Sequence, residues 1–124
     1  MTIAVIVVAA VFFFGMGLYA LAAPAATVRA FGIMLQERQS RSEVRAVYGG
    51  FGLAIAGVLV FAAGGSGLLR TGIMMTVGLA LAGMAFGRVV SAVIEGRTSF
   101  YPNWFYCLVE TVGAAALLLT AWAA

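Results

Sequence analysis

The sequence contains no histidine and no lysine, has a single cysteine, and carries charge on only 9% of its 124 residues. Without histidine, the chain has no histidine-ligated haem, no histidine-bearing metal site and no histidine acid–base chemistry. The lone Cys107 excludes an internal disulfide, and the absence of a CxxC pair excludes a thiol–disulfide enzyme acting alone. Cys107 lies in an apolar run, where an inert buried thiol is expected. We therefore expect neither a metal nor a cofactor.

The positive charge is carried by arginine alone. Seven arginines against four acidic residues give a net charge of +3. That charge is too small and too scattered along the chain for a nucleic-acid-binding patch, so no nucleic-acid partner is expected. We interpret the arginines as topology signals and as partners in ion pairs.

What the sequence does have is apolar surface. Hydrophobic residues make up 65% of the chain and the mean hydropathy is +1.13. Globular domains average about 25% charged residues, and a soluble chain of this length has too little interior to bury so much apolar surface. We therefore expect a lipid bilayer to be the solvent.

Four apolar runs have the length that a membrane-spanning helix needs, about 20 residues. They cover approximately residues 3–23, 44–63, 71–94 and 103–122. The first run mimics a signal peptide, but no Lys or Arg precedes it and it exceeds the usual apolar region of about 7–15 residues. A retained helix is expected there. Residues 24–44 fit either a short interfacial helix or a plain solvated loop. The predicted fold is all-α: one domain, an integral membrane bundle of four antiparallel helices.

The distribution of arginine predicts an orientation. The first and third connections carry most of the arginines, and the second carries only Arg70. The positive-inside rule then places the first and third connections in the cytoplasm and both termini on the other side. Trp104 and Trp122 fall near the two ends of the last helix, as in an aromatic belt.

Charged residues inside or beside the apolar runs are the candidate site. At a rise of ~1.5 Å per residue, Arg88 lies about 13 Å into the third helix from Arg97, and Glu110 lies about 10 Å into the fourth from Asn103. Neighbouring antiparallel helices bring such residues to similar depth, so we predict an intramembrane Arg88–Glu110 ion pair. A lone charge at the bilayer centre costs at least ~2.5–3.5 kcal/mol, which pairing lowers.

The pair is expected to belong to a larger polar cluster, either structural or ligand-binding. Arg45 and Glu95 both lie nearer the cytoplasmic surface, so in this interpretation they form a second pair, or extend the first pair into a network with two tyrosines. The whole predicted cluster consists of Arg45, Tyr48, Arg88, Glu95, Tyr106 and Glu110.

Glycines recur at helical spacing on the same faces. Small residues let neighbouring helices approach closely in a membrane. The glycines expected at helix contacts are Gly49, Gly50, Gly52, Gly83, Gly87 and Gly113.

A family resemblance is most evident in two runs of the sequence, RAVYGGFGLAIAG (45–57) and FGRVVSAVIEGR (86–97). Nearly the whole chain resembles a family of small uncharacterised bacterial four-helix membrane proteins, a domain of unknown function similar to the DoxX-like group. The resemblance implies a compact antiparallel four-helix bundle in the bacterial inner membrane, and it carries no established activity. More distant relatives include sterol-related isomerases and ligand-binding proteins. Their isomerase chemistry is not expected in a chain without histidine and with only two deep carboxylates.

Several functions stay open at this point. The first is an accessory or structural subunit that packs against a larger membrane complex or against further copies of itself. The alternative is a binder of a lipid or small amphipathic molecule at the polar cluster. Transport ranks lower, because no apolar run is broken at mid-membrane. Catalysis by Glu95 or Glu110 as a general acid or base is not expected, because no activated nucleophile accompanies them.

Overall fold

A computed structural model describes residues 1–123, and every regular element within that range is helical. Five helices follow one another: α1 (Thr2–Ala22), α2 (Pro24–Arg29), α3 (Arg38–Ala63), α4 (Gly67–Glu95) and α5 (Phe105–Ala123). A wider helical turn, Phe100–Trp104, leads into α5. All but α2 are long and apolar enough to cross a membrane, when that turn is counted with α5. The prediction of an all-helical chain with four long apolar helices is confirmed.

The helix α3 begins earlier than its apolar run. It starts at Arg38 rather than near residue 44, and the stretch Arg45–Gly50 is π-helical. Hydropathy detects only the apolar part of a helix, whereas the polar residues 38–43 are also compatible with helical backbone.

The connection before α3 is partly helical and partly irregular. It contains the six-residue helix α2, which opens with Pro24 at its first position, where proline's fixed φ suits a helix start. The segment between α2 and α3 is irregular.

The helices pack mainly as two pairs, α1 with α3 and α4 with α5. In the second pair, the contacts proceed in opposite order along the two helices. An added Cβ at Gly78 of α4 would meet Leu118 of α5, and one at Gly113 of α5 would meet Leu81 of α4. Further along α4, the carbonyl of Ala85 accepts a weak hydrogen bond from the Cys107 thiol at 3.8 Å.

The α1–α3 crossing is closest at glycine. A Cβ added at Gly17 would lie 2.9 Å from the Gly49 carbonyl oxygen and 2.9 Å from the Leu53 nitrogen. A Cβ added at Gly52 would lie 3.1 Å from the Gly17 Cα. Because these neighbours are backbone atoms, this contact has no room for a side chain larger than hydrogen.

The apolar core lies in the half of the molecule where α1 begins and α5 ends. Its fully buried side chains are Ile6, Leu59, Met74 and Leu117, one from each long helix. The other half, where α4 ends and α5 begins, contains the charged residues of the candidate site.

Three of the six glycines expected at helix contacts do not face a neighbouring helix of this chain. An added Cβ at Gly83 or Gly87 would meet nothing within 4 Å, and one at Gly50 would meet only its own helix backbone at 3.9 Å. The helix α4 turns Gly78 and Leu81 toward α5, which leaves Gly83 about 200° around the helix from Leu81. The packing role expected of Gly50, Gly83 and Gly87 is therefore wrong within this chain.

Candidate functional site

A bidentate ion pair joins the late part of α4 to the early part of α5. The Arg88 Nε donates to Glu110 Oε1 at 2.7 Å, and Nη2 donates to Oε2 at 2.9 Å. The Arg88 side chain is 21% exposed and that of Glu110 is 6% exposed. Paired N–H donors facing both carboxylate oxygens form the strongest hydrogen-bond geometry available to arginine. The ion pair predicted from helix depth is present.

A glycine and a short connection make this meeting possible. The helix α4 ends at Glu95, and the next residue, Gly96, has a φ of 91°, in the left-handed region that favours glycine. The chain then turns through residues 97–104 into α5, which places the first turns of α5 beside the last turns of α4.

Asn103 is the third polar member of the site. Its Oδ1 accepts a hydrogen bond of 3.1 Å from Arg88 Nη1. A guanidinium has five N–H donors, so Glu110 and Asn103 leave two of them free. Asn103 comes seven residues before Glu110, a spacing that places both on one helix face, but Asn103 was not among the six residues of the predicted cluster.

Two aromatic rings flank the guanidinium. The Phe31 ring centroid lies 5.5 Å from Arg88 Cζ and the Tyr106 centroid lies 5.9 Å from it. The two rings are 5.6 Å apart, centroid to centroid. Each ring is close enough for a cation–π interaction. Phe31 belongs to the irregular segment after α2, and its local sequence contained no sign that it would reach α4.

A cavity of 230 Å³ opens beside the ion pair. Arg88 and Glu110 are its only charged lining residues, and the remaining walls are mostly aromatic and aliphatic. Tyr19, Tyr48 and Tyr106 also line it. Across residues 1–123, no hydrogen bond joins the hydroxyl of Tyr19 or Tyr48 to another protein group. The hydroxyls of two cavity-lining tyrosines, Tyr19 and Tyr48, are therefore not used by other groups of the described chain.

The second predicted ion pair does not form. Arg45 lies against α1 and donates from Nε to the Leu21 carbonyl at 3.0 Å, and it does not line the cavity. Glu95 is the exposed last residue of α4. The only salt bridge in the described part of the chain is the one between Arg88 and Glu110. Similar depth alone was a poor guide here, because Arg45 faces a different helix from the one that carries Glu95.

Arg45 and Arg70 both donate hydrogen bonds to carbonyls at the C-terminal end of a helix. Arg70 donates to the carbonyls of Ala62 at 3.0 Å and Ala63 at 2.9 Å. Carbonyls in the last turn of a helix have no partner within the helix, and a cation there also interacts favourably with the helix dipole. Arg45 and Arg70 thus satisfy the C-terminal ends of α1 and α3.

The fold and the site together define a class: an all-helical chain with four membrane-length apolar helices and a partly buried Arg–Glu pair beside a cavity. The chain belongs to the family described as "Domain of unknown function (DUF4345)", whose model matches residues 1–121. The resemblance to an uncharacterised family is thereby confirmed. No curated protein and no solved structure matches the chain.

Proposed function

We propose that this chain is an integral membrane protein, an antiparallel bundle of four helices that binds a small amphipathic molecule at Arg88. The outward surface supports the membrane placement. Only 22% to 28% of the most apolar window of each long helix is buried inside the chain. The remaining apolar side chains need lipid or protein around them, because water solvates them poorly. The opposite order of contacts between α4 and α5 supports the antiparallel arrangement.

Finer features of this placement rest on the sequence. The arginine bias favours cytoplasmic first and third connections, with both termini on the opposite side. The relation to the DoxX-like group and the location in a bacterial inner membrane follow from the resemblance of residues 45–57 and 86–97. A topology assay with single-cysteine variants at Thr2 and Arg41 tests the orientation, since the two positions should be labelled from opposite sides.

The observation that carries the binding proposal is the cavity beside the ion pair. A pair that served only to hold two helices together would be expected to be enclosed by close packing. Here 230 Å³ stays open next to Arg88 and Glu110, with the Tyr19 and Tyr48 side chains at its wall. Pockets for whole drug-sized ligands measure about 300–1,000 Å³. The cavity therefore suits the polar end of a molecule rather than an entire one.

Glu110 is better explained as a structural anion than as a proton-transfer group. Both of its oxygens accept hydrogen bonds from Arg88. No group of three or more His, Cys, Asp or Glu residues within residues 1–123 could hold a metal ion. The proposal is accordingly for binding rather than for catalysis.

Native mass spectrometry of protein extracted in mild detergent tests the proposal. We expect wild-type protein to retain a small molecule and Arg88→Gln to lose it. Tyr48→Phe, which removes one hydroxyl from the cavity wall, should weaken retention about fivefold, the value of a typical neutral hydrogen bond of ~1 kcal/mol. Tyr101→Phe is the matched control, because Tyr101 does not line the cavity. A wild-type protein that carries no ligand, or equal retention in all variants, would contradict the proposal.

A second candidate, an accessory subunit, has one specific observation in its favour. Gly83 and Gly87 are exposed on α4, and a Cβ added at either would meet no other part of residues 1–123 within 4 Å. Two small residues four apart would let a helix of another protein, or of a second copy, approach closely. A stoichiometric protein partner that is lost in Gly83→Leu but retained in Arg88→Gln would support this function. A monomer without any protein partner in mild detergent would argue against it.

A further inference from the structure

A second, larger space lies next to the cavity. It is a groove of 540 Å³ between α1 and α5, and all of its lining residues are apolar. It shares Phe12, Phe13 and Leu81 with the cavity beside Arg88. These three side chains therefore form the boundary between the two spaces. Together they have one polar end and one long apolar arm.

The charges at the polar end cancel. Arg88 and Glu110 are the only charged residues that line either space, and they neutralise each other through two hydrogen bonds. An anionic group entering here would meet the Glu110 carboxylate, and a cationic group would meet the Arg88 guanidinium. An uncharged group with a hydrogen-bond acceptor avoids both repulsions. It can accept from the two free N–H groups of Arg88 or from the hydroxyls of Tyr19 and Tyr48.

The dimensions of the groove set the size of the apolar part. Its walls extend from Ala4 to Phe13 on α1 and from Leu108 to Leu117 on α5. Nine residues of helix rise by about 13 Å, which is the length of a single extended chain of roughly ten carbons. Val8 and Val112 on its two walls are exposed, so the groove is open along its side. A tail could enter it laterally from a bilayer.

We propose that the ligand is an uncharged single-chain amphiphile, with its polar head at Arg88 and its tail in the groove between α1 and α5. This inference rests on the proposed function, because it assigns the head to the same cavity. Its tail gains little hydrophobic energy in a membrane, where the alternative surroundings are lipid chains that are equally apolar. Discrimination among ligands therefore comes from the head. A charged head should compete at least tenfold less well than an uncharged head on the same tail.

Photolabelling of the protein in phosphatidylcholine vesicles tests the assignment. Two dodecan-1-ol probes are needed, one with a diazirine near the hydroxyl and one with a diazirine near the methyl end. The head probe should label the segments around Phe31 and Met84. The tail probe should label residues 4–9 of α1 and 112–117 of α5. Unlabelled dodecan-1-ol should compete with both probes, and dodecyl phosphate should not.

A pair of neighbouring substitutions provides the control. Ala116 lines the groove, whereas the adjacent Ala115 is exposed and does not. Ala116→Phe should abolish labelling by the tail probe in the groove and leave labelling by the head probe intact. Ala115→Phe should change neither.

The outcomes separate this inference from the proposed function. Labelling by the tail probe that is spread evenly over all outward-facing helices, with competed labelling by the head probe, would overturn the groove assignment while the cavity remained a binding site. Competition by dodecyl phosphate equal to that by dodecan-1-ol would overturn the uncharged head. Labelling by both probes that no competitor reduces would overturn the proposed function itself.

Discussion

Removing one partner of the Arg88–Glu110 pair should destabilise the protein more than removing both. In Glu110→Leu, the Arg88 guanidinium keeps only its hydrogen bond to Asn103, in a position where its side chain is 21% exposed. Breaking a buried ion pair by removal of one partner costs about 3–5 kcal/mol. Because Arg88 retains Asn103 and some exposure, we expect a loss near the lower end, about 3 kcal/mol. In the double variant Arg88→Met/Glu110→Leu no charge is left uncompensated, and a loss of about 1 kcal/mol or less is expected.

The single cysteine supplies the assay. Cys107 is buried against α4 at 8% exposure, so a thiol-reactive fluorogenic dye reaches it only after the α4–α5 contact opens. Thermal unfolding in detergent, followed with this dye, should show a Tm for Glu110→Leu that is lower than wild type by roughly 10 °C. The double variant should lie within a few degrees of wild type. Arg97→Met is the control for the Arg88→Met half of the double variant, because it removes a positive charge from an exposed position, and it should leave the Tm unchanged.

The comparison of single and double variants decides the question. If the double variant loses as much stability as Glu110→Leu, the cost does not come from an uncompensated charge, and the reasoning is refuted. The pair would then stabilise the helices through its own attraction.

Three further predictions concern stability and use the same dye assay. Gly17→Ala should lower the Tm markedly, because its Cβ would lie 2.9 Å from backbone atoms of α3. The control is Gly15→Ala on the same helix, whose Cβ meets nothing within 4 Å and which should be neutral or slightly stabilising. Equal effects would contradict the close α1–α3 crossing. Arg70→Gln should cost about 1–2 kcal/mol, because two carbonyls at the end of α3 lose their charged donor; an unchanged Tm would mean that water replaces it at no cost. Asn103→Leu should cost about 1 kcal/mol by removing one acceptor of Arg88, and a loss as large as that of Glu110→Leu would show that the amide, rather than the carboxylate, holds the guanidinium.

The sequence predicted the number of long apolar helices because membrane-length apolar runs are a strong signal. It misplaced the start of α3, because Arg38 and the polar residues after it are helical but not apolar. It also misjudged Gly83 and Gly87, since glycine spacing shows that a face is small without showing which neighbour it meets.

The candidate site was predictable where it depended on distance along a helix. Arg88 and Glu110 meet because two consecutive helices joined by a short connection must place them at similar depth. Phe31 was not predictable in this way, because its contact with Arg88 depends on how an irregular segment folds back. Arg45 and Glu95 show the limit of depth as a guide. Depth does not determine which helix a side chain faces.

In the membrane placement proposed above, the mutual cancellation of Arg88 and Glu110 affects how the site responds to a membrane potential. The free energy of a single charge changes by ~2.3 kcal/mol per 100 mV when it moves across the full membrane potential. The paired residues present no net charge to that field, since the guanidinium and carboxylate are joined at 2.7 Å. An uncharged ligand that enters beside them adds none. Occupancy of the cavity should therefore be independent of voltage, so that a cell's energy state would leave the bound fraction unchanged.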